Sequence, residues 1–371
     1  MLTDGFIVVY ADGTATQLVT ITINGLNDAP TIGGVTSDHD NVCDSAADGE
    51  VTIEGSFSDV DLSDTHHVTV NWGDGSEDGP ALATTLSGTH TYANGGIYTI
   101  IVTVDDDHGG IAVATTTAVV QGVGVVDGTL YIIGTDGRDH VKLKFNEKKD
   151  ELKVDAKLDQ GHHHHSGSDG GSDGGSDGGK DKGKGKHKGG SDGGSDGGSD
   201  GGHDHIKQTF AISGIDRIVT YLCDGDDRYD GGHDHGHHHG SDGGADAAIP
   251  QFVFGGAGKD RIKGGRGNDV LIGGAGKDDL KGGNGLDILI GGTGKDKLKG
   301  GRGNDLLIGG STDNQGNLAA LDDAVAEWAS GTPNSALSFL STMIDDDEKD
   351  DLFGEHGHDY LVYGHRDKRK Q

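Results

Sequence analysis

The 371-residue chain contains 71 glycines, only 31% apolar residues and a formal net charge of −32. Such acidity argues against nucleic acid as a partner, because phosphate binding needs a basic surface. No apolar run approaches the ~20 residues that a transmembrane helix needs, and we see no signal peptide after Met1. The length predicts two or three domains.

The sequence carries no motif that indicates catalysis, so we predict no enzyme. Five Gly-x-Ser-x-Gly windows occur, but they lie in a low-complexity tract without the strand and helix of a nucleophile elbow. HExxH, P-loop and dinucleotide-binding motifs do not occur. The two cysteines, Cys43 and Cys223, lie far apart in the sequence without a Cys-x-x-Cys motif, and we expect two unpaired thiols.

Residues 1–30 predict a β-hairpin. Two strand-like runs, 6–10 and 17–23, flank a turn at 11–14. With the closing Asn27-Asp-Ala-Pro30, they resemble the tail of a bacterial cadherin-like repeat of the VCBS type. That resemblance implies that the chain starts inside a longer architecture.

Residues 31–121 predict a β-sandwich, because short strands recur at 8–15-residue spacing. Trp72-Gly-Asp-Gly-Ser76, His90-Thr-Tyr92 and Gly96-Ile-Tyr98 resemble the PKD family of Ig-like domains. The resemblance implies seven strands and an extracellular spacer or binding module. We interpret Trp72 and Tyr98 as core aromatics.

A group of acidic residues in this segment offers a possible calcium site between domains. The alternative, which we favour, is a set of solvated turn carboxylates. The group consists of Asp59, Asp61, Asp105, Asp106 and Asp107.

Residues 122–254 predict irregular β-coils. A nonapeptide, Gly-Gly-x-Gly-x-Asp-x-U-x with U apolar, repeats six times further along the chain, from Gly255 to Ile308, and parts of 122–254 match it. Gly134–Lys142 matches it with Thr at the second position, and 225–229 is a fragment in the same phase. Asp139 and Asp227 are therefore calcium candidates, weaker than the aspartates of the six repeats.

Two low-complexity inserts interrupt these coils, and neither has apolar residues to bury. Residues 161–205 contain six Ser-Asp-Gly-Gly tetrads and four consecutive histidines, and residues 231–248 contain five more histidines and a seventh tetrad. We expect disordered loops. Neutral imidazole binds Zn²⁺, Ni²⁺ or Cu²⁺, so the inserts are possible transition-metal sites, although solvated linkers are the interpretation that we favour.

The six nonapeptides, 255–308, predict a parallel β-roll that binds Ca²⁺. Calcium prefers six to eight oxygen ligands, and each repeat offers backbone carbonyls in a glycine-rich turn and one carboxylate at position six. Two repeats make an 18-residue turn, so the carboxylates stack in two rows of three, and four stacked pairs imply at least four ions. One row is Asp260, Asp278 and Asp296, and the other is Asp269, Asp287 and Asp305.

These repeats resemble the RTX, or hemolysin-type, calcium-binding family. The family resemblance implies a segment that is unfolded at low cytosolic calcium and folds outside the cell. The position-eight residues should form the core of the roll. They are Ile262, Leu271, Leu280, Leu289, Leu298 and Leu307.

The repeats also predict two different outer faces. Positions seven and nine are mostly Lys or Arg in odd repeats and apolar in even repeats, from Val270 to Ile308. An exposed apolar patch should be covered. Residues 317–331 predict a helix with Leu318, Leu321, Val325 and Trp328 on one face, and we expect it to cover the patch; a partner protein or a membrane is the alternative.

The remaining segments complete the all-β prediction: a PKD-type sandwich, then a parallel β-roll with a small helical insert. The insert spans 309–349 and includes a second short helix at 334–344. Residues 350–371 form a last imperfect turn, with Asp350 and Asp359 as weaker calcium candidates, and a basic tail.

Three functions remain open. The first is a calcium-stabilised structural or adhesion segment of a larger secreted or surface protein of a bacterium, with a surface protein or polysaccharide as a possible partner. The second is an export and folding module of an RTX toxin or hydrolase whose catalytic part lies upstream. The third is transition-metal binding by the histidine-rich inserts.

Overall fold

The computed structural model describes residues 2–9, 16–23, 26–159, 203–232, 249–313, 315–330 and 343–370. The predicted N-terminal hairpin is present as β1 (Leu2–Val9) and β2 (Thr16–Ile23), which pair antiparallel with Leu2 opposite Ile23. The proposed disorder of the two low-complexity inserts concerns residues that lie almost entirely outside the described ones. The exceptions are residues 203–205, which begin a strand, and residues 231 and 232, which follow one.

The next seven strands form a two-sheet sandwich, as predicted. One sheet has the order β3-β4-β7 and the other the order β6-β5-β8-β9. The core between them contains Trp72 and Tyr98, which are 0% and 5% exposed. The strands are β3 (Thr31–Ser37), β4 (Glu50–Ser58), β5 (His67–Asn71), β6 (Glu77–Leu82), β7 (Leu86–Thr91), β8 (Gly96–Asp105) and β9 (Ile111–Val120).

The first coils after the sandwich belong to the same two sheets as the nonapeptides. Antiparallel pairs begin each sheet, and parallel pairing follows. Their strands are β10 (Gly122–Val126), β11 (Thr129–Ile133), β12 (His140–Asn146), β13 (Glu151–Asp159), β14 (His203–Ala211), β15 (Arg217–Tyr221), β16 (Asp224–Gly225) and β17 (Arg228–Asp230).

The nonapeptides continue both sheets with parallel strands spaced 18 residues apart, so that Ile262 lies beside Leu280 and Leu271 beside Leu289. These strands are β18 (Gln251–Gly258), β19 (Arg261–Lys263), β20 (Val270–Gly276), β21 (Asp279–Asn284), β22 (Ile288–Gly294), β23 (Lys297–Arg302) and β24 (Leu306–Ile308). After the short pair β25 (Ser311–Thr312) and β26 (Met343–Ile344), the sheets end with β27 (Asp351–His356), β28 (Tyr360–Val362) and β29 (Lys368–Lys370).

We name the two sheets by their outer faces. The helix-covered sheet has the order β10-β11-β15-β18-β20-β22-β24-β28, with β16 also pairing with β18, and the lysine-rich sheet has the order β14-β13-β12-β17-β19-β21-β23-β27-β29. The predicted core is confirmed, because all six position-eight side chains are 0% exposed between the sheets.

One helix, α1 (Leu318–Ala329), covers the apolar outer face, as the sequence predicted. Asn317 caps its first turn, with its Oδ1 accepting a hydrogen bond from the Ala320 N–H at 3.2 Å. Leu321 is fully buried against the even-repeat strands, and Leu318, Val325 and Trp328 pack at the edges of that contact. Trp328 Nε1 also donates to the Asn304 carbonyl at 2.7 Å. The second predicted helix lies mostly outside the described residues, and its last two positions, 343 and 344, form β26 instead.

Two inserts enter the roll at equivalent places. Each follows a Gly-Gly pair that begins a turn, Gly231-Gly232 in one case and Gly309-Gly310 in the other, and the repeat phase returns at position six with Gln251 and Asp350. An insert in the turn leaves the strands in register, and the sheets therefore continue across it.

The expectation of two unpaired thiols was wrong. Cys43 and Cys223 form a disulfide, with their Cα atoms 5.5 Å apart. It joins the sandwich to the coils that begin the roll, and Val126 packs against the sandwich core near the same junction. A separation of 180 residues gave no signal for this pairing. Within the described residues, no helix is long and apolar enough to cross a membrane.

Candidate metal centre

Two rows of aspartates follow the edges of the roll, each linked by one repeated hydrogen bond. The backbone N–H of each aspartate donates to Oδ1 of the next aspartate in the row, at 2.7–3.0 Å. The long row is Asp139, Asp227, Asp260, Asp278, Asp296, Asp350 and Asp367. The short row is Asp269, Asp287, Asp305 and Asp359.

The second carboxylate oxygen is the unusual feature of these rows. In six aspartates, Oδ2 is buried and has no hydrogen-bond partner. Leaving a buried polar atom unpaired costs about 1–3 kcal/mol, and more for a charged group. Six such atoms along two edges therefore point to a missing positive partner. They belong to Asp227, Asp260, Asp278, Asp287, Asp296 and Asp305.

The first glycine of each repeat leaves an oxygen-lined space beside this atom. A Cβ added at Gly291 would lie within 2.7 Å of both Asp296 Oδ2 and the Gly309 carbonyl oxygen. The same two kinds of oxygen surround the equivalent point at Gly255, Gly273, Gly282 and Gly300. None of these glycines has a positive φ. The space, and not the backbone conformation, is what requires glycine here.

Burial raises the pKa of the row carboxyls well above the ordinary value for Asp. The pKa rises to about 6 at Asp260, about 7 at Asp278, about 8 at Asp296 and about 9 at Asp227, in each case chiefly because burial disfavours the charged form. The same cause raises the pKa of Asp269 and Asp287. A bound divalent cation would reverse this preference, and buried carboxylate with backbone carbonyl oxygens is a donor set that suits Ca²⁺.

At the start of each row, protein groups donate hydrogen bonds to both oxygens of the first aspartate. Asp139 Oδ1 accepts from Thr135 Oγ1 and the Asp159 N–H, and its Oδ2 accepts from the Thr135 N–H. Thr135 is the residue that replaces the second glycine of the template, and its N–H and its hydroxyl both donate to this carboxylate.

Gln251 has the corresponding role in the short row. It stands at position six, where the repeats have Asp, and its side chain bonds Tyr229 and the Gly231 carbonyl. The next carboxylate, Asp269, accepts from the Gln251 N–H at Oδ1 and from the Gly265 N–H at Oδ2. Asp269 was among the strongest sequence candidates, yet its oxygens are already partnered.

The C-terminal end of the long row contains a residue that the sequence analysis missed. Asp367 Oδ1 accepts from the Asp350 N–H at 3.0 Å, and its Oδ2 accepts from the Gly364 N–H. The last turn is 17 residues long instead of 18, with Asp351 beside Lys368. That shift hid Asp367 from a search with a fixed period. Asp350 and Asp359 lie in the long and short rows as their phase suggested.

The acidic group of the sandwich has a different environment. Asp59 Oδ2 contacts His66 Nε2 at 2.9 Å, and Asp61 Oδ2 accepts from the Asp28 N–H. Asp106 is fully buried, not solvated, and accepts from Asn27, which lies in the linker after the hairpin. These contacts give the carboxylates protein partners. The histidines at 162–165 and 233–239, the predicted transition-metal candidates, lie outside the described residues.

Comparison with known families agrees with this geometry. Residues 254–289 and 281–315 match the RTX calcium-binding nonapeptide repeat, in a family model of four copies, and residues 27–121 match the PKD domain. The chain therefore carries RTX calcium-binding repeats and a PKD domain. Both are structural, non-catalytic families typical of secreted or surface bacterial proteins.

Two solved PKD domains are similar to the sandwich. The PKD1 domain of Vibrio anguillarum Epp is 22% identical, with a TM-score of 0.20, and the match covers 26% of this chain and 99% of that one. The PKD domain of an M14-like peptidase from Thermoplasmatales archaeon SCGC AB-540-F20 is 21% identical, with a TM-score of 0.22, covering 26% and 98%. No curated protein matches the chain.

Proposed function

We propose that this chain is a calcium-stabilised structural and adhesion segment of a larger secreted or surface protein, and that it has no catalytic role. The observation that supports the proposal most is the set of six buried Oδ2 atoms without partners. Each lies in a row that repeats through the roll. The proposal divides the chain into a hairpin at 1–30, a sandwich at 31–121 and a calcium-dependent roll from 122 onward, with the helical insert at 309–349.

The unpartnered oxygens refine the choice of calcium ligands. Asp260, Asp278 and Asp296 would hold ions in the long row, and Asp287 and Asp305 in the short row. Asp227 joins them because its Oδ2 is also buried and unpaired. Asp139 and Asp269, whose oxygens have protein partners, would act as the ends of the rows, and the weaker candidates Asp350 and Asp359 as additional ligands. The proposal therefore expects about six ions instead of the minimum of four.

Calcium bound in these rows would decide whether the roll is folded. A free ligand at ten times its Kd stabilises the native state by about 1.4 kcal/mol per site, so six independent sites contribute roughly 8 kcal/mol. That sum is comparable to the whole stability of an ordinary domain, about 5–15 kcal/mol. Extracellular calcium modules bind at roughly 10⁻⁴–10⁻³ M, which suits a segment that folds only outside the cell.

The test is a calcium titration of the full chain, followed by far-ultraviolet circular dichroism, with EGTA reversal and a magnesium control. We expect a cooperative gain of β signal at sub-millimolar to millimolar calcium that magnesium does not reproduce. A β signal already complete in EGTA would contradict the proposal.

Paired variants test the choice of ligands. Asp227→Asn should remove about one ion from the stoichiometry measured by calorimetry, because its Oδ2 lacks a protein partner. Asp139→Asn, one step along the same row, should leave the ion count unchanged, because Thr135 and Asp159 satisfy that carboxylate. Equal ion losses in the two variants would refute this assignment.

A further inference from the structure

The outer face of the lysine-rich sheet carries a regular array of cations. On three neighbouring strands, Lys263, Lys281 and Lys299 lie side by side in register, and a second column contains Arg261, Asp279 and Lys297. These six side chains line a pocket of about 150 Å³. Neighbouring strands are ~4.8 Å apart, so the positively charged side chains of adjacent strands lie close together.

Most of this charge has no counterpart on the protein. Lys297 lies 4.0 Å from Asp279, and Lys299 lies 3.5 Å from Glu355. Within the described residues, Arg261, Lys263 and Lys281 form no ion pair. Like charges directly opposite each other destabilise a sheet. The acidic side chains of this face, Asp279 and Glu355 among them, therefore offset only part of the repulsion within the array.

The distribution of charge along the chain gives an independent reason to regard the array as a binding surface. The first 137 residues contain none of the 30 Lys and Arg residues of the chain. The whole sandwich, residues 31–121, lies within this stretch. The roll, in contrast, concentrates them on one sheet, directly after the aspartates of the long row: Asp260 precedes Arg261, and Asp296 precedes Lys297.

We propose that this lysine-rich face binds a linear acidic polysaccharide. The pocket is too small to enclose a sugar ring, but it suits the carboxylate or sulfate groups that such a chain presents at intervals. Lysine provides a hydrated point charge, whereas nucleic-acid recognition favours arginine and aromatic stacking, and none of the six lining side chains is aromatic. Duplex DNA also carries one charge per ~1.7 Å, a density that this strand spacing does not match.

This inference rests on the proposed calcium binding, because calcium would neutralise the long row beside the face. Without ions, the roll would not be folded, and its strands would not hold the lysines in register. With ions, the field at the sheet edge becomes positive. Polysaccharide binding should therefore strengthen as the calcium sites fill.

The test is calorimetric titration of the full chain, at saturating calcium, with a dextran sulfate oligosaccharide. Uncharged dextran of the same length and duplex DNA are the comparison ligands. Lys263→Gln/Lys281→Gln should weaken dextran sulfate binding by about tenfold, since each exposed charge contributes up to ~1 kcal/mol. Lys148→Gln/Lys149→Gln changes the net charge equally at an exposed turn outside the pocket, and should change affinity by less than about twofold.

Equal losses in the two double variants would overturn the proposal, as would equal or tighter binding of DNA or no binding of dextran sulfate to the folded wild type. The circular dichroism transition with calcium is recorded on the same samples. It reports the proposed calcium binding independently, so failure of the polysaccharide surface is distinguished from failure of the calcium roll. Should the double variant not fold, Lys281→Gln alone carries the test, with an expected loss of about threefold.

Discussion

The sandwich and the roll are both built of β-strands, but their surroundings shift the pKa values of aspartate side chains in opposite directions. In the sandwich, a hydrogen bond from His66 is the main cause that lowers the pKa of Asp59. Burial would raise the pKa of Asp74, yet bonds from Ser76 and His90 lower it overall. In the roll, burial raises the pKa of the row carboxyls. Hydrogen bonds within the sandwich therefore favour the charged form of these aspartates, whereas burial in the roll disfavours the charged form of the row aspartates.

The difference follows from how each region obtains its core. The sandwich buries large side chains such as Trp72 and Tyr98 between two sheets. Each nonapeptide of the roll buries one side chain in its interior, and the rest of the repeat is glycine-rich turn. A roll with so little apolar burial per residue needs another source of stability. Cations bound by the aspartate rows would provide it.

Removing calcium should have the largest effect, and it should unfold the roll but not the sandwich. The chain has two tryptophans, Trp72 in the sandwich core and Trp328 on the helix that covers the roll. In the Trp72→Phe variant, EGTA should shift the fluorescence of Trp328 to the red, to the emission of an exposed indole. In the Trp328→Phe variant, the emission of Trp72 should stay unchanged in EGTA, because the sandwich holds no unpaired carboxylate like those of the rows.

A loss of Trp72 fluorescence in EGTA would contradict this difference between the two regions, since it would mean that the sandwich also depends on calcium. Retained burial of Trp328 would mean that the roll does not. Reducing the Cys43–Cys223 disulfide in the same experiment shows whether the roll protects the sandwich through that bond. With the disulfide intact or reduced, Trp72 should respond in the same way.

Much of this organisation could be predicted from the sequence, and the parts that could not have physical reasons. A strict nine-residue period determines inward and outward positions, so the core at Leu280 and the apolar face at Ile288 were predictable. The cover by α1 followed from its apolar stripe. The disulfide and Asp367 did not follow, because a distant pairing and a 17-residue turn leave no periodic signal. Gln251 and Thr135 looked like degenerate repeat positions, and only their contacts show that they donate hydrogen bonds to the first aspartates of the two rows.

A smaller effect should appear when protons take the place of calcium. The pKa values of the row carboxyls are raised in the folded, metal-free state, for example to about 7 at Asp278 and about 8 at Asp296. A raised folded pKa gives stability that is present below the unfolded value, near 4 for Asp, and that is lost as the pH rises through the folded values. In EGTA, the roll should therefore retain part of its β signal at pH 5 and lose it between about pH 6 and 9.

The sandwich provides the internal control for that experiment. The lowered pKa of Asp59 gives stability that is present above the ordinary value and lost at lower pH. From pH 5 to 9, the circular dichroism of the roll and the emission of Trp72 should thus differ, the first falling and the second constant. A β signal in EGTA that rises with pH would contradict the assignment of raised pKa values to the rows.

The smallest effect concerns a single ion position and tests why the first glycine is there. A Cβ at Gly291 would enter the space between Asp296 Oδ2 and the Gly309 carbonyl, and Gly291 does not have a positive φ that would strain alanine. Gly291→Ala should remove about one calcium ion and raise the midpoint of the calcium transition by about twofold, because the five remaining sites must make up the ~1.4 kcal/mol that one site contributes at ten times its Kd. Gly316→Ala, where an added Cβ meets nothing within 4 Å, should leave both unchanged. An unchanged ion count in Gly291→Ala would show that the oxygen-lined space beside Asp296 does not hold calcium.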